Sequence, residues 1–178
     1  MIKVRYSGQM GNNLFQYVRG RILVYENPDA GMLESEPIPG FPNTAKKAGV
    51  GCGNKDIIVK GIFQDYKIYQ PYKRRIHWWL KFERFPPQSE DKLIMHIRLG
   101  DYLEPRYLWL SLPMDYYHKV IEIDKPKNIC IVTNKPKHPL LQQFDAEIVS
   151  ESRLHDFAFL ASAHRLCLAN STFSWWAG

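Results

Sequence analysis

After Pro86-Pro87 the chain settles into a beat of short apolar runs and helical stretches, and that beat restricts it to few folds. Leu93 to Arg98 (LIMHIR) reads as a buried strand, and Asn128 to Thr133 (NICIVT), Ala146 to Val149 and Arg165 to Ala169 (RLCLA) as three more. Between them, Pro113 can open a helix at its first position, with Tyr116, Tyr117, Val120 and Ile121 on it. His138 to Phe144 predicts a short helix, and Leu154 to Ala163 another, with Phe157, Leu160 and Ala161 on one face. Strands alternating with helices predict an α/β fold with a parallel sheet.

The first half repeats the theme less regularly. Ile2 to Tyr6 is a β-prone run, Ser7 to Asn13 a polar turn holding Gly8 and Gly11, and Asn12 or Asn13 can cap a following helix. On that helix Leu14, Phe15, Val18, Ile22 and Tyr25 recur at helical spacing. Asn27 to Asn54 is rich in Gly and Pro and reads as loop and short pieces. Asp56 to Lys60 (DIIVK) is a second strand. Tyr66 to Phe85 is aromatic, basic and predicted largely helical, ending at the two prolines. PPQSEDK makes a linker, which gives two domains, 1–87 and 88–178, with a cleft between them.

Composition narrows the function classes. Hydrophobic residues make up 45% of the 178, which supports a packed core and excludes a disordered chain. A net charge of +6 points to an anionic partner: nucleic acid, an acidic membrane or a phosphorylated small molecule. Most of the excess lies between Lys60 and Arg84, where a solvated helix face explains it. Cys52, Cys130 and Cys167 form no close-spaced pair, so neither a disulfide framework nor a zinc site is expected. No run approaches the length of a membrane span, leaving at most peripheral membrane contact. MIKVRY reads as structure rather than as a signal peptide, so the expected compartment is the cytoplasm. The histidines are scattered without HxxxH spacing, and no DxD pair is present to hold a divalent ion on a nucleotide sugar, so no metal is expected.

Three motifs fall where ligands bind in open α/β sheets, beyond the carboxyl ends of strands. In HIRLGDY, Arg98 closes a buried strand and can fork onto a diphosphate with two parallel hydrogen bonds. Asp101 can hold that arginine or accept from a ribose hydroxyl, and His96 is poised toward phosphate or ribose. In NSTFSWW, Asn170, Ser171, Thr172 and Ser174 follow a strand and precede a helix start, where hydroxyls and free N–H groups suit an anion. A plain helix cap needs only one such residue. In GQMGNNLFQY, Gly11 lets backbone approach a ligand and Asn12 offers an amide, without the spacing of a phosphate-binding lysine loop.

Taken together, GQMGNNLFQY, GIFQDYKIY (Gly61 to Tyr69), HIRLGDY, LPMDYYHKVI (Leu112 to Ile121) and NSTFSWWAG resemble, in order along nearly the whole chain, the α-1,2-fucosyltransferases of glycosyltransferase family 11. The resemblance implies a GT-B-like fold of two Rossmann-like halves, GDP-fucose as donor, a galactoside glycan as acceptor, an inverting reaction and no metal or other cofactor. By it, His96, Arg98, Asp101 and Asn170 to Ser174 face the donor, and acceptor choice lies in the N-terminal half. Leu99 stands where the family often has a second arginine. The chain stops at Gly178 as the last helix should begin, so a shortened relative lacking the closing C-terminal helices is the expectation.

Inversion needs a base for the acceptor hydroxyl. Asp101 and Asp156 are the candidates, Asp156 being better explained as an acid in the first turn of a helix. Two rival readings remain open: a nucleotide-binding relative without transferase activity, and RNA binding through the basic window with Tyr66, Tyr69, Tyr72, Trp78 and Trp79. The latter leaves NSTFSWW without a purpose, so nucleic acid is not the expected partner.

Overall fold

The computed structural model of the protein describes residues 1–30, 33–46 and 56–178. Cys52 and most of the last third of the Asn27 to Asn54 loop lie outside the described residues. The chain divides into two units, Met1–Glu83 and Arg84–Gly178. Each has its own parallel sheet, and the described residues form five α-helices in all, an arrangement consistent with Rossmann-like α/β folding.

In the first unit, β1 (Ile2–Val4) lies between β2 (Leu33–Glu34) and β3 (Ile57–Val59), all parallel. Helix α1 (Met10–Glu26) buries Leu14, Phe15, Val18 and Ile22, as their spacing predicts. Gly20 is what lets the helix lie close to the sheet: a Cβ there would sit 2.6 Å from Val4 and 2.8 Å from Leu33. Neither Asn12 nor Asn13 caps α1. The cap is Gln9, whose carbonyl accepts from both of their N–H groups, so both asparagines lie inside the first turn. The predicted long helix after Tyr66 is two 3₁₀ turns followed by α2 (Lys73–Trp79). Pro71 interrupts the backbone bonding before α2, and the helix stops at Leu80 rather than at the prolines.

The second unit contains β4 (Lys92–Ile97), α3 (Met114–Asp124), β5 (Asn128–Thr133), β6 (Glu147–Val149), α4 (Arg153–Leu160), β7 (Arg165–Cys167) and α5 (Thr172–Ala177). Its strands are parallel in the order β6-β5-β4-β7. Both faces of this sheet are covered. Leu93, Met95 and Ile97 pack with Tyr117 of α3 and with Leu141 and Phe144. Ile94, Cys130 and Val132 pack on the opposite face with Leu160 of α4 and Phe173 of α5. Burial on both sides is why these strands read as unbroken apolar runs, and each such side chain contributes about 1.5–3 kcal/mol. Cys130 and Cys167 are core thiols, and burial pushes Cys130 up to about 11, which keeps it unreactive. Pro113 is the extended residue before α3 rather than its first helical residue. No helix among the described residues is long and apolar enough to cross a membrane.

Candidate functional site

The order of the second sheet fixes where a ligand can sit. From β4 the chain passes through α3 to β5 and then outward to β6, and α4 returns it to β7 on the other side of β4. The strand order therefore reverses between β4 and β7, and in doubly wound sheets the crevice opens beyond the carboxyl ends at such a reversal. Arg98 follows the end of β4, and Asn170 to Thr172 follow the end of β7. Two motifs that lie far apart in the sequence thus meet at one strand reversal.

Arg98 is held in place twice. Its Nη2 donates to Asp101 Oδ1 at 2.6 Å, and its guanidinium lies 5.4 Å from the centre of the Tyr102 ring. Only 18% of its side chain is exposed. The turn that brings Asp101 back onto the arginine passes through Gly100 at φ +72°, a conformation that other residues rarely adopt. Asn134, just past β5, clamps the same turn: its Oδ1 accepts from Leu99 N–H at 2.9 Å and its Nδ2 donates to Leu99 O at 3.1 Å. Asn134 was not legible as a site residue, because a lone asparagine after a strand looks like any turn. Leu99 itself is fully buried, in the core beside Tyr117, and does not face the crevice.

Tyr102 lies near enough to Ser171 for the two motifs to influence each other electrostatically. Burial pushes the Tyr102 phenol up, against opposing pulls from Arg98 and Ser171, so it stays protonated and able to donate. Ser171 Oγ accepts from Phe173 N–H at 3.3 Å, capping α5. Thr172 is the first residue of that short helix and is partly exposed. Asn170 is exposed and donates to Leu110 O at 3.2 Å. Ser174 corrects the sequence expectation: it is fully buried and donates to the carbonyls of Ala169 and Ser171, so its hydroxyl braces the turn instead of meeting a ligand.

His96 is also not poised toward phosphate. It is buried on the α5 face, 5.6 Å from the Phe173 ring, and its Nδ1 has no hydrogen-bond partner. Burial, aided by the Arg98 charge, pushes its pKa down to about 3, so it is neutral at physiological pH. In the unfolded chain the imidazole protonates near 6.5, whereas the folded one resists until about 3, so in that window acid favours the unfolded state. Each pH unit across it costs at most about 1.4 kcal/mol. The stability lost by the protein between pH 6 and pH 4 should therefore shrink in a His96→Phe variant, as read from melting curves; identical pH slopes would contradict the buried neutral state.

The first sheet reverses too, between β1 and β3. Here Gln16, 1% exposed, ties the two strand exits: its amide donates to Ser7 O, Ser7 Oγ and Gly61 O, and its Oε1 accepts from Ser7 N–H. A polar residue inside the apolar run LFQYV was its sequence signal. Asn12 Oδ1 accepts from Gln64 at 3.0 Å, so GQMGNN and GIFQDY meet as a pair. Gly11 is buried within α1; the glycine that makes the turn is Gly8, at φ +78°. Asp156 lies in the first turn of α4, where Oδ1 accepts from Glu151 N–H at 3.0 Å, beside the Ser152 cap. It is a helix-terminus acid, as its position suggested. Among the described residues no group of three or more His, Cys, Asp or Glu is placed to hold a metal ion.

Comparison of the chain with protein-family models, with curated proteins and with solved structures returned no match.

Proposed function

We propose that the protein binds GDP-fucose beyond the carboxyl ends of β4 and β7 and transfers the fucose to a galactoside glycan in α-1,2 linkage, as a GT-B-like enzyme that inverts and uses no metal. One observation carries this reading: the order β6-β5-β4-β7 brings HIRLGDY and NSTFSWW to a single strand reversal. The resemblance of those motifs supplies the identity of the nucleotide and the sugar.

In the reaction, the bond between fucose C1 and the β-phosphate oxygen breaks and the acceptor oxygen bonds C1 from the opposite face. GDP leaves, and the acceptor proton passes to a base. Arg98 meets the charge growing on the leaving diphosphate, already oriented by Asp101 and Tyr102. Thr172, Ser171 and Tyr102 add hydroxyl donors. Asp156 is spent on the α4 terminus, which leaves Asp101 beside the arginine as the carboxylate that can take the acceptor proton.

Incubation with GDP-fucose and lactose in EDTA tests the reading. The expected result is GDP release with a 2-O-fucosylated product of inverted anomeric configuration. Saturable GDP binding without product would favour the alternative, a nucleotide-binding relative that does not transfer. Product that appears only with an added divalent cation would contradict the metal-free chemistry.

A further inference from the structure

The segment between β4 and α3 exposes three large apolar residues in a row: Tyr107 at 37%, Leu108 at 55% and Trp109 at 78%. Three such side chains in succession make a contiguous apolar surface of the kind that can meet a ligand. The segment is anchored at the candidate site, because Leu110 O accepts from Asn170 at the end of β7. Tyr116 fastens the start of α3 to the same place, donating to Leu168 O at 3.3 Å.

We propose that Trp109 is a stacking platform for a sugar ring of the acceptor glycan. Two features select a saccharide. First, Trp109 Nε1 already donates to Arg106 O at 3.2 Å, which fixes the indole and leaves its apolar faces to offer. A pyranose ring has a face of C–H bonds that lies flat on such a plane while its hydroxyls stay in water. Second, the charge of the segment is cancelled internally. Arg106 donates from Nε to Glu104 at 3.0 Å, pairs with it through Nη2 at 2.9 Å, and lies 4.7 Å from the Tyr107 ring centre. A neutral aromatic surface suits a neutral glycan and offers no free cation to a nucleic acid or an acidic lipid.

The inference rests on the transferase reading and refines it, since it places part of acceptor recognition in the second unit. Trp109 is largely exposed, so Trp109→Ala should melt close to the wild type. Calorimetry with lactose at saturating GDP, and with GDP alone, on both proteins separates the ideas. The expected result is GDP affinity within about twofold of wild type and lactose affinity at least about tenfold weaker. Equal lactose affinity in both proteins, with GDP binding intact, overturns the platform and leaves the donor site standing. A wild type that binds lactose through Trp109 but not GDP supports the platform and defeats the donor reading. No lactose binding to the wild type overturns the platform. So does Trp109-dependent sedimentation with phosphatidylserine vesicles that lactose does not compete, which would assign the segment to a membrane surface.

Discussion

Arg98→Lys should weaken GDP binding by roughly ten- to a hundredfold, equivalent to about 1.5–3 kcal/mol, with little change in melting temperature. Lysine keeps the positive charge, so a site that needs only charge would barely notice. It loses the planar fork that can take two phosphate oxygens at once. It also loses the geometry that lets one guanidinium reach Asp101 Oδ1 and lie by the Tyr102 ring while its remaining N–H groups stay available. Transfer should fall further than binding, because the diphosphate carries most charge as it leaves. An arginine that only braces its turn would show the reverse: a lower melting temperature with GDP affinity intact. Titration and melting of the same Arg98→Lys sample distinguish the two.

Leu99→Arg should cost about 3 kcal/mol or more in stability and gain no GDP affinity. The resemblance would suggest otherwise, since a second arginine commonly stands at this position in the family. Here Leu99 is fully buried among Met95, Ile97, Tyr117 and Leu141. A guanidinium at that point must either stay among apolar side chains without a partner or swing outward. Swinging outward pulls the Leu99 backbone away from both hydrogen bonds to Asn134 and disturbs the turn that aims Asp101. Urea unfolding measures the loss. A variant as stable as wild type that binds GDP more tightly would show that position 99 faces the crevice.

The strands of the second unit were legible because β4 and β5 are covered on both faces, which writes them as continuous apolar runs. The strand β2 was not, because Leu33 and Glu34 carry no periodicity and pair only through the neighbouring strand. The basic stretch after Tyr66 looked helical by composition, yet Pro71 and two 3₁₀ turns take up its first part, a matter of backbone bonding rather than residue type. At the candidate site, Arg98, Asp101, Ser171 and Asn170 are visible in the sequence as polar residues at strand exits. His96 and Ser174 sit in the same motifs, but the sequence does not say which way a side chain points. His96 alternates away from Met95 into the face beneath α5, and Ser174 turns inward to the carbonyls before it. Asn134 and Gln16 acquire their roles only through tertiary contact, with Leu99 and with Gly61.

The central claim is that the crevice beyond β4 and β7 holds the diphosphate of a guanine nucleotide without a metal. Calorimetric titration of the protein in EDTA with GDP, and with UDP as the comparison, tests it most directly. The account predicts saturable one-site GDP binding in EDTA and UDP affinity at least about tenfold weaker. Equal affinity for the two nucleotides, or GDP binding that disappears in EDTA, would contradict it.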